Sequence, residues 1–290
     1  MVVLLASAWV SSCTQSPHND TVAGVEDHTN AELCDFIRDL VAIAAATTLP
    51  HFRRNVVVEN KSVCGFDPVT DADRLTEDAI RAAITQRFPE HGIIGEEGGA
   101  HNPTARYQWV VDPIDGTKAF VCGLPTWATL IGLCDESGPV LGLMSQPVVG
   151  EYFIGGLGSA ERVGRDGRTP LRSRNTGSLS QASLFATSPD MFSPAELSRF
   201  NKLSAVVQLT RFGVDSYAYC MLAAGFIDIV AEAGLGYYDI AALVPIVDSA
   251  GGVITDWTGE QVRGGGQVLA AANPKLHAAA LVALESSQSS

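Results

Sequence analysis

Apolar residues recur at helical spacing in two segments of the N-terminal third. Thr29 and Glu32 precede the first segment at the spacing of a capping box, in which each side chain bonds the other residue's backbone N–H. The apolar positions that follow are Leu33, Phe36, Ile37, Leu40, Val41 and Ala44. A second helix is predicted over about 74–88. Its inward side chains are expected to be Leu75, Ile80, Ile84 and Phe88.

Short apolar runs separated by turn residues predict strands from residue 93 onward. Ile93-Ile94 and Trp109-Val110-Val111 each run into acidic residues. The segment TLIGLCDESGPVLGLMSQP predicts two strands joined by a turn at Glu136-Ser137-Gly138, and EYFIGGLG predicts a third. Asp166-Gly167 marks a further hairpin turn. This part of the chain is therefore expected to form a strand-rich sheet.

Beyond Arg174, predicted strands alternate with predicted helices. Strands are expected in ASLFATS, VVQLTRFG, IDIVAEA, GGVITDW and QVLAAAN, and helices after Ser193, in SYAYCMLAAG, in DIAALVPIVDSAGG and after Asn273. Such alternation favours layered α/β packing. We place a boundary near residue 175, with an N-terminal α+β part over 29–174 and a C-terminal α/β part over 175–286.

The composition and the net charge narrow the class of protein. Hydrophobic residues make up 46% of the 290 positions, which suffices for one large domain or two closely joined ones. The formal net charge of −13 argues against a nucleic-acid partner, because such surfaces need clustered Lys and Arg. An anionic substrate stays compatible, since a bound divalent metal reverses the local charge. No apolar run approaches the about 20 residues of a membrane span, so no membrane partner is predicted.

The cysteines and the N-terminus bear on the compartment. The six cysteines lie far apart without a C-x-x-C pair, which indicates reduced thiols of an intracellular protein. Residues 1–28 are interpreted as a disordered leader or a targeting remnant, because their apolar run lacks the basic start of a secretory signal. We therefore expect a cytoplasmic protein, or a plastid or other organellar one if the leader is a targeting remnant.

Acidic residues stand at the ends of apolar elements in four places. They are Asp73 in DPVTDAD, Glu96 in IIGEEGG, Asp112 with Asp115 after the strand at Trp109, and Asp239 at the start of an apolar segment. Taken alone, Asp73 and Asp239 have another interpretation, because acids at helix starts cap the helix and match its dipole. As a group, carboxylates held together repel each other unless cations separate them. The pattern therefore indicates a cation site.

The segment WVVDPIDGT has the donors of a metal and phosphate site. Carboxylate oxygens suit Mg²⁺ or Mn²⁺, with water and substrate phosphate in the remaining positions. The proline after Asp112 turns the chain, so the Ile114 carbonyl can face the same ion. Gly116 and Thr117 then offer backbone N–H groups near a predicted helix start, which suits a phosphate oxygen. The spacing leaves open whether the acids of the other segments join this site.

Four segments together resemble the inositol monophosphatase family. DPVTDAD, GEE, WVVDPIDGT and YYDIAALVPIVDSAGGVITDW occur in the family's order and approximate spacing over about residues 30–285. The resemblance implies an α-β-α-β-α layered sandwich of the α/β class. It also implies a Mg²⁺-dependent phosphomonoesterase that uses a metal-activated water, with two to three Mg²⁺ ions and Mn²⁺ as a substitute. Family members are commonly dimers, so a homodimer is expected.

The resemblance also implies a role for each site residue. Glu96, Asp112 and the Ile114 carbonyl resemble the ligands of a first metal, and Asp112, Asp115 and Asp239 those of a second. Asp73 and Glu96 resemble the outer ligands of a third, weaker ion. The Gly116 and Thr117 amides resemble a phosphate cradle. Glu96 and Thr117 resemble the groups that orient the attacking water. The residues assigned to catalysis are these two and Asp73, the outer ligand of the third ion.

Further segments resemble the histidinol-phosphate phosphatase branch of the family. They are DPIDGTKAFVCGLPTWATLIGL, ATSPDMF and the acid Asp215 before Ser-Tyr-Ala-Tyr. Two stretches depart from the branch, because Gly213-Val214-Asp215 replaces Gly-Gly-Asp or Cys-Asp and Gly236-Tyr237-Tyr238 replaces Lys-Pro-Tyr. Glu232 falls where the family contacts the alcohol part of the substrate. The implied substrate is L-histidinol phosphate, a small phosphorylated amino alcohol of histidine biosynthesis.

The substrate assignment has alternatives. A pair of carboxylates, Asp215 and Glu232, suits an ammonium group better than a neutral ring. Asp215 is equally placed to N-cap the helix predicted in SYAYCMLAAG. The rival enzymes are an inositol monophosphatase and a 3′(2′),5′-bisphosphate nucleotidase, and a rival from another class is a regulatory family member with little turnover.

Overall fold

The structure is a computed structural model that describes residues 28–54, 57–61 and 68–285. Apart from its last residue, the predicted leader lies outside these described residues. Across the described ranges, no helix has both the length and the apolar character that a membrane crossing requires. The four described cysteines, Cys34, Cys122, Cys134 and Cys220, are free thiols.

The elements follow the order that the hydrophobic pattern predicts. The helices are α1 (Asn30–Thr48), α2 (Asp71–Arg87), α3 (Thr117–Val121), α4 (Pro194–Ser204), α5 (Tyr217–Ala223), α6 (Leu243–Ser249) and α7 (Pro274–Glu285). The strands of the first half are β1 (Val58–Asn60), β2 (Pro68–Thr70), β3 (Gly92–Gly95), β4 (Gly99–His101), β5 (Gln108–Asp115), β6 (Ala128–Asp135), β7 (Gly138–Gln146), β8 (Glu151–Gly156), β9 (Ser159–Gly164) and β10 (Gly167–Pro170). Those of the second half are β11 (Ser183–Ala186), β12 (Leu209–Phe212), β13 (Ile229–Leu235), β14 (Val253–Thr255) and β15 (Gly266–Ala271).

The first two helices differ from their predicted forms. Thr29 does cap α1 through Glu32 N–H, but the Glu32 carboxylate pairs with Arg87 instead of closing the capping box. In α2, Leu75 is 49% exposed, so its predicted inward position is wrong. Leu75 lies nine positions before the buried Ile84, and at 3.6 residues per turn that spacing puts the two on opposite faces.

The architecture is an α-β-α-β-α sandwich, as the resemblance implies. The first large sheet has the strand order β10-β9-β8-β7-β6-β5-β3-β4, and the second has β12-β11-β13-β15-β14, while β1 and β2 form a small separate pair. Helices α1 and α2 pack on one face of the first sheet. Helices α5 and α6 lie between the two sheets, and α4 with α7 covers the outer face of the second. Both halves of the chain therefore contribute to the core between the sheets.

Glycines in the first sheet let α6 approach it closely. A Cβ on Gly142 of β7 would lie 1.9 Å from the Ala242 carbonyl oxygen, and one on Gly155 of β8 would lie 2.5 Å from Ile246 Cα. Neither neighbour can yield, because both contacts are with backbone. This close packing fixes the segment before α6, which carries Asp239, against the first sheet.

Candidate active site

The Asp112–Asp115 segment departs from regular strand geometry at the end of β5. In a regular strand, residues three positions apart face opposite sides of the sheet. Here Asp112 pairs with Leu130 of β6 and Asp115 pairs with Ala128, with a register shift between them. Such an irregularity re-aims side chains at the end of a strand. It allows both carboxylates of the D-P-I-D motif to reach one site.

Three of the predicted metal ligands lie together. Asp112, Asp115 and Asp239 each offer a carboxylate oxygen within 4.8 Å of the others. Asp239 belongs to a turn before α6, which begins at Leu243 rather than at the predicted Asp239. Its carboxylate accepts a hydrogen bond of 2.6 Å from Gly236 N–H. Asp239 therefore does not cap a helix, and the alternative interpretation of this residue is not supported.

The electrostatics of this group favour a bound cation. Burial, together with the charges of Glu96, Asp115 and Asp239, raises the pKa of Asp112 well above its usual value. Burial and the Asp115 charge raise the pKa of Asp239 to about 8. Burial also raises the pKa of Asp115. These carboxylates, one buried and two half-buried, lie so close together that a cation among them would favour their charged forms at neutral pH. An all-oxygen donor set fits Mg²⁺ or Mn²⁺.

Glu96 borders the three aspartates. Strand β3 runs parallel to β5, with Gly95 beside Val111, so the residues after the two paired segments emerge at the same edge. The Glu96 carboxylate accepts a hydrogen bond from Lys61 Nζ at 2.7 Å, and Lys61 also reaches Glu97 at 2.8 Å. Burial raises the pKa of Glu96 to about 6, against the opposing effect of Lys61.

Asp73 lies in the capping box of α2. Its Oδ2 accepts hydrogen bonds from Thr70 N–H at 2.9 Å and from the Thr70 hydroxyl at 2.6 Å. The capping interpretation of Asp73 is therefore confirmed. The residue is buried, and it lies outside the group of three aspartates. Its role as an outer metal ligand stays a prediction.

The turn after β5 brings Gly116 and Thr117 to the site. Gly116 has a φ of 80°, a left-handed conformation, and a Cβ there would lie 3.1 Å from Asp215 Cγ. Only glycine meets both conditions at low cost. The Thr117 hydroxyl donates to the Ile114 carbonyl at 3.1 Å. The same turn therefore orders the Ile114 carbonyl and the Thr117 hydroxyl.

Asp215 lies against Gly116 and does not cap α5. Its φ is 45°, and the N-cap position of α5 is Ser216, which makes no side-chain capping bond. The Ser216 N–H instead donates to Asp115 Oδ2 at 3.0 Å, and so ties the loop that carries Asp215 to the aspartate group. Burial, with the charges of Asp115 and Glu232, raises the pKa of Asp215 to about 8.

Glu232 of β13 is buried beside this loop. Its Oε1 accepts a hydrogen bond from Thr187 N–H at 2.7 Å, and its Oε2 accepts one from the Tyr219 hydroxyl at 2.9 Å. Burial raises the pKa of Glu232 to about 7. Neither Glu232 nor Asp215 forms an ion pair with a residue in the described part of the chain. A buried Glu232 and a half-buried Asp215 thus lie near each other, and the charge of the exposed Lys118 acts on Asp215 without an ion pair between them.

Sequence reasoning overlooked the groups that hold these two acids. Thr187 and Tyr219 fix Glu232, and the Ser216 N–H fixes the loop of Asp215. One signal was available, because Tyr219 follows Asp215 by four positions in a predicted helix, which places it one turn away. No local pattern pointed to Thr187.

Comparisons with known proteins identify relatives of the chain. The sequence model of the inositol monophosphatase family matches residues 29–289. The bifunctional phosphatase IMPL2, chloroplastic, of Arabidopsis thaliana is 40% identical over 247 residues, which cover 81% of this chain and 70% of the relative. A histidinol-phosphatase of Mycobacterium tuberculosis is 37% identical over 213 residues, covering 72% and 82%. A solved inositol monophosphatase from Zymomonas mobilis superposes with a TM-score of 0.79 at 37% identity, covering 89% of this chain and all of that one.

Proposed function

The chain belongs to the inositol monophosphatase family and is a phosphoric monoester hydrolase, and on that premise we propose that it converts L-histidinol phosphate to L-histidinol and phosphate. This reaction would place it in histidine biosynthesis. The carrying observation is the pair of neighbouring carboxylates Asp215 and Glu232, neither of which forms an ion pair with a cation in the described part of the chain. The substrate would supply that cation.

The family is metal-dependent, and we assign Mg²⁺ to the acidic group, with Mn²⁺ as a substitute. One ion would be held by Glu96, Asp112 and the Ile114 carbonyl. A second would be held by Asp112, Asp115 and Asp239, and a third, weaker ion by Asp73 and Glu96. The fit rests on the three aspartate oxygens within 4.8 Å of one another and on their raised pKa values. When bound, Mg²⁺ supplies positive charge that polarises the phosphoryl group and lowers the pKa of water.

Thr117 and Glu96 would orient the attacking water. The Thr117 hydroxyl hydrogen is directed to the Ile114 carbonyl, so the hydroxyl oxygen is left to accept a hydrogen bond from the water. Glu96 borders the same group of aspartates, and its carboxylate would accept a hydrogen bond from the water. The Gly116 and Thr117 amides would receive phosphate oxygens, and the left-handed turn at Gly116 sets their direction.

The alcohol part of the substrate would bind between the aspartate group and the second sheet. Asp215 lies against Gly116, beside the proposed phosphate cradle, and Glu232 lies on β13. An ammonium group near these acids would form charge-assisted hydrogen bonds, which are stronger than neutral ones. The relative from Mycobacterium tuberculosis is named a histidinol-phosphatase, which supports the same substrate.

An inositol phosphate is the second candidate substrate. The Zymomonas mobilis structure with a TM-score of 0.79 is an inositol monophosphatase. A neutral ring supplies no positive charge to favour the ionised forms of Asp215 and Glu232, whose pKa values are raised, so we rank this substrate second.

Phosphate release from three esters tests the proposal. The purified protein is assayed with L-histidinol phosphate, an inositol monophosphate and adenosine 3′,5′-bisphosphate, each with Mg²⁺ and with EDTA. Asp112→Asn serves as the control for contaminating phosphatase. We expect Mg²⁺-dependent turnover with kcat/KM at least about tenfold higher for L-histidinol phosphate, the value of one charged hydrogen bond. An equal or higher kcat/KM for either other ester would overturn the assignment.

Two expectations about the protein's surroundings stay predictions. A homodimer is expected and is measurable by light scattering. A cytoplasmic or plastid location is expected and is measurable by tagging the full-length chain.

A further inference from the structure

Glu232 is held by two protein donors, one on each carboxylate oxygen. The Thr187 N–H, just beyond β11, donates to Oε1, and the Tyr219 hydroxyl on α5 donates to Oε2. A carboxylate accepts about four hydrogen bonds, so each oxygen keeps room for a further donor. The two bonds therefore set the direction of the carboxylate without filling it.

Tyr219 holds Glu232 from α5, the helix that follows the loop of Asp215. Its side chain is 1% exposed and lies in the core between the two sheets. It follows Asp215 by four positions and lies in α5, which begins two residues after Asp215. A buried tyrosine hydroxyl needs a partner, and here the partner is Glu232.

A second tyrosine on the same helix provides a contrast. Tyr217 donates its hydroxyl to Glu151 of β8, and Glu151 also pairs with Arg162. The charge of Glu151 is thus matched within the protein. Glu232 receives a tyrosine hydroxyl in the same way but has no cation among the described residues. The surroundings of Glu151 are those of a structural ion pair. The surroundings of Glu232 suit a carboxylate that binds a charged ligand.

We propose that Tyr219 is a positioning residue for substrate discrimination, which acts by holding the Glu232 carboxylate where, beside Asp215, it receives the ammonium group of the substrate. The inference rests on the proposed function, because the ammonium group belongs to L-histidinol phosphate. Tyr219 itself does not contact the substrate. Its removal should therefore change the preference between cationic and neutral esters and not the chemistry of phosphate release.

The test compares Tyr219→Phe with Tyr217→Phe, each assayed with L-histidinol phosphate and an inositol monophosphate. Tyr219→Phe should lower kcat/KM for L-histidinol phosphate about three- to tenfold, the range expected for one lost hydrogen bond, mainly through a higher KM. Its kcat/KM for the inositol ester should stay within about twofold of wild type. Tyr217→Phe should lower the melting temperature and leave the ratio of the two kcat/KM values unchanged.

A double-variant cycle with Glu232→Gln assigns the effect to the pair. If Tyr219 acts through the Glu232 charge, Tyr219→Phe should change the ratio little once Glu232→Gln is present. Three results would overturn this inference and leave the proposed substrate standing. The ratio of the two kcat/KM values could stay unchanged in Tyr219→Phe, or it could fall equally in Tyr217→Phe. Tyr219→Phe could also change the ratio as much in the Glu232→Gln background as in wild type. A wild-type protein without preference for the cationic ester would overturn the proposed substrate and this inference with it.

Discussion

Replacing Asp112 by Asn should separate metal binding from folding. Asp112 is 1% exposed, and its Oδ1 accepts a hydrogen bond from Ile114 N–H at 3.0 Å. An Asn amide oxygen can keep that bond, so the turn after β5 should survive. The variant removes one negative charge from the group of three aspartates, and with it a proposed ligand of two Mg²⁺ ions.

The magnitude follows from the distances in the group. Two unit charges at 4.8 Å repel by about 3.5 kcal/mol at an effective dielectric constant of about 20. Without metal, wild type relieves this repulsion by protonation, because the pKa of Asp112 is well above its usual value. In EDTA, the free energy of unfolding of Asp112→Asn should therefore equal that of wild type near pH 6. Near pH 9 it should be higher than that of wild type by up to about 3.5 kcal/mol.

Mg²⁺ should make wild type the more stable protein near pH 6 and narrow the lead of the variant near pH 9. A ligand at about one hundred times its Kd stabilises the folded state by about 2.7 kcal/mol. At about 2 °C per kcal/mol, the low end for larger domains, wild type should gain about 5 °C in melting temperature. Asp112→Asn should gain little and release almost no phosphate. The assay is thermal melting in EDTA and in Mg²⁺ at both pH values. A variant with the wild-type Mg²⁺ shift, or one that loses several kcal/mol in EDTA, would refute the reasoning.

Three further predictions concern the water, the pH dependence and the fold. Thr117→Ala should lower kcat by about 10²–10⁴ through loss of water orientation, with KM nearly unchanged; a raised KM with normal kcat in steady-state assays would make Thr117 a binding residue only. The metal-free protein should become less stable as the pH rises from about 4 to 8. The reason is that the folded-state pKa of Asp239 is raised to about 8, so the folded state binds more protons in this range than the unfolded state does. A melting temperature that does not change with pH in EDTA would contradict this. Asp228→Asn should cost about 1.5–3 kcal/mol in urea unfolding, because buried Asp228 accepts hydrogen bonds from Arg174 and Ser183. Asp166→Asn, which removes an exposed ion pair, should cost clearly less, and equal losses would refute the difference.

Local patterns sufficed for most elements and for part of the site. Helical spacing and turn residues located the strands and helices, since both depend on neighbours in sequence. The D-P-I-D-G-T segment pointed to Asp112 and Asp115 because acids directly after a buried strand need a partner. The bulge that brings the two carboxylates together depends on pairing with β6, and no sequence pattern specified it.

Long-range contacts account for what the sequence did not predict. The Ser216 N–H reaches Asp115 across 101 positions, and that tertiary contact replaced the predicted capping role of Asp215. The Asp239 segment forms a turn rather than a helix start, because Gly236 N–H bonds its carboxylate. Tyr219 meets Glu232 only because α5 and β13 pack together. Such contacts follow from the packing of the two sheets and not from local propensity.

The central claim is that Asp215 and Glu232 receive the ammonium group of the substrate. Its most direct test is the kcat/KM of Asp215→Asn, measured for L-histidinol phosphate and for an inositol monophosphate. Asn preserves the size of the side chain and removes its charge. With a charge-assisted hydrogen bond worth about 1.5–3 kcal/mol, kcat/KM for the cationic ester should fall about tenfold to more than a hundredfold. The value for the neutral ester should change little or rise. An equal fall for both esters would contradict ammonium recognition by this residue and return the inositol phosphate to first place.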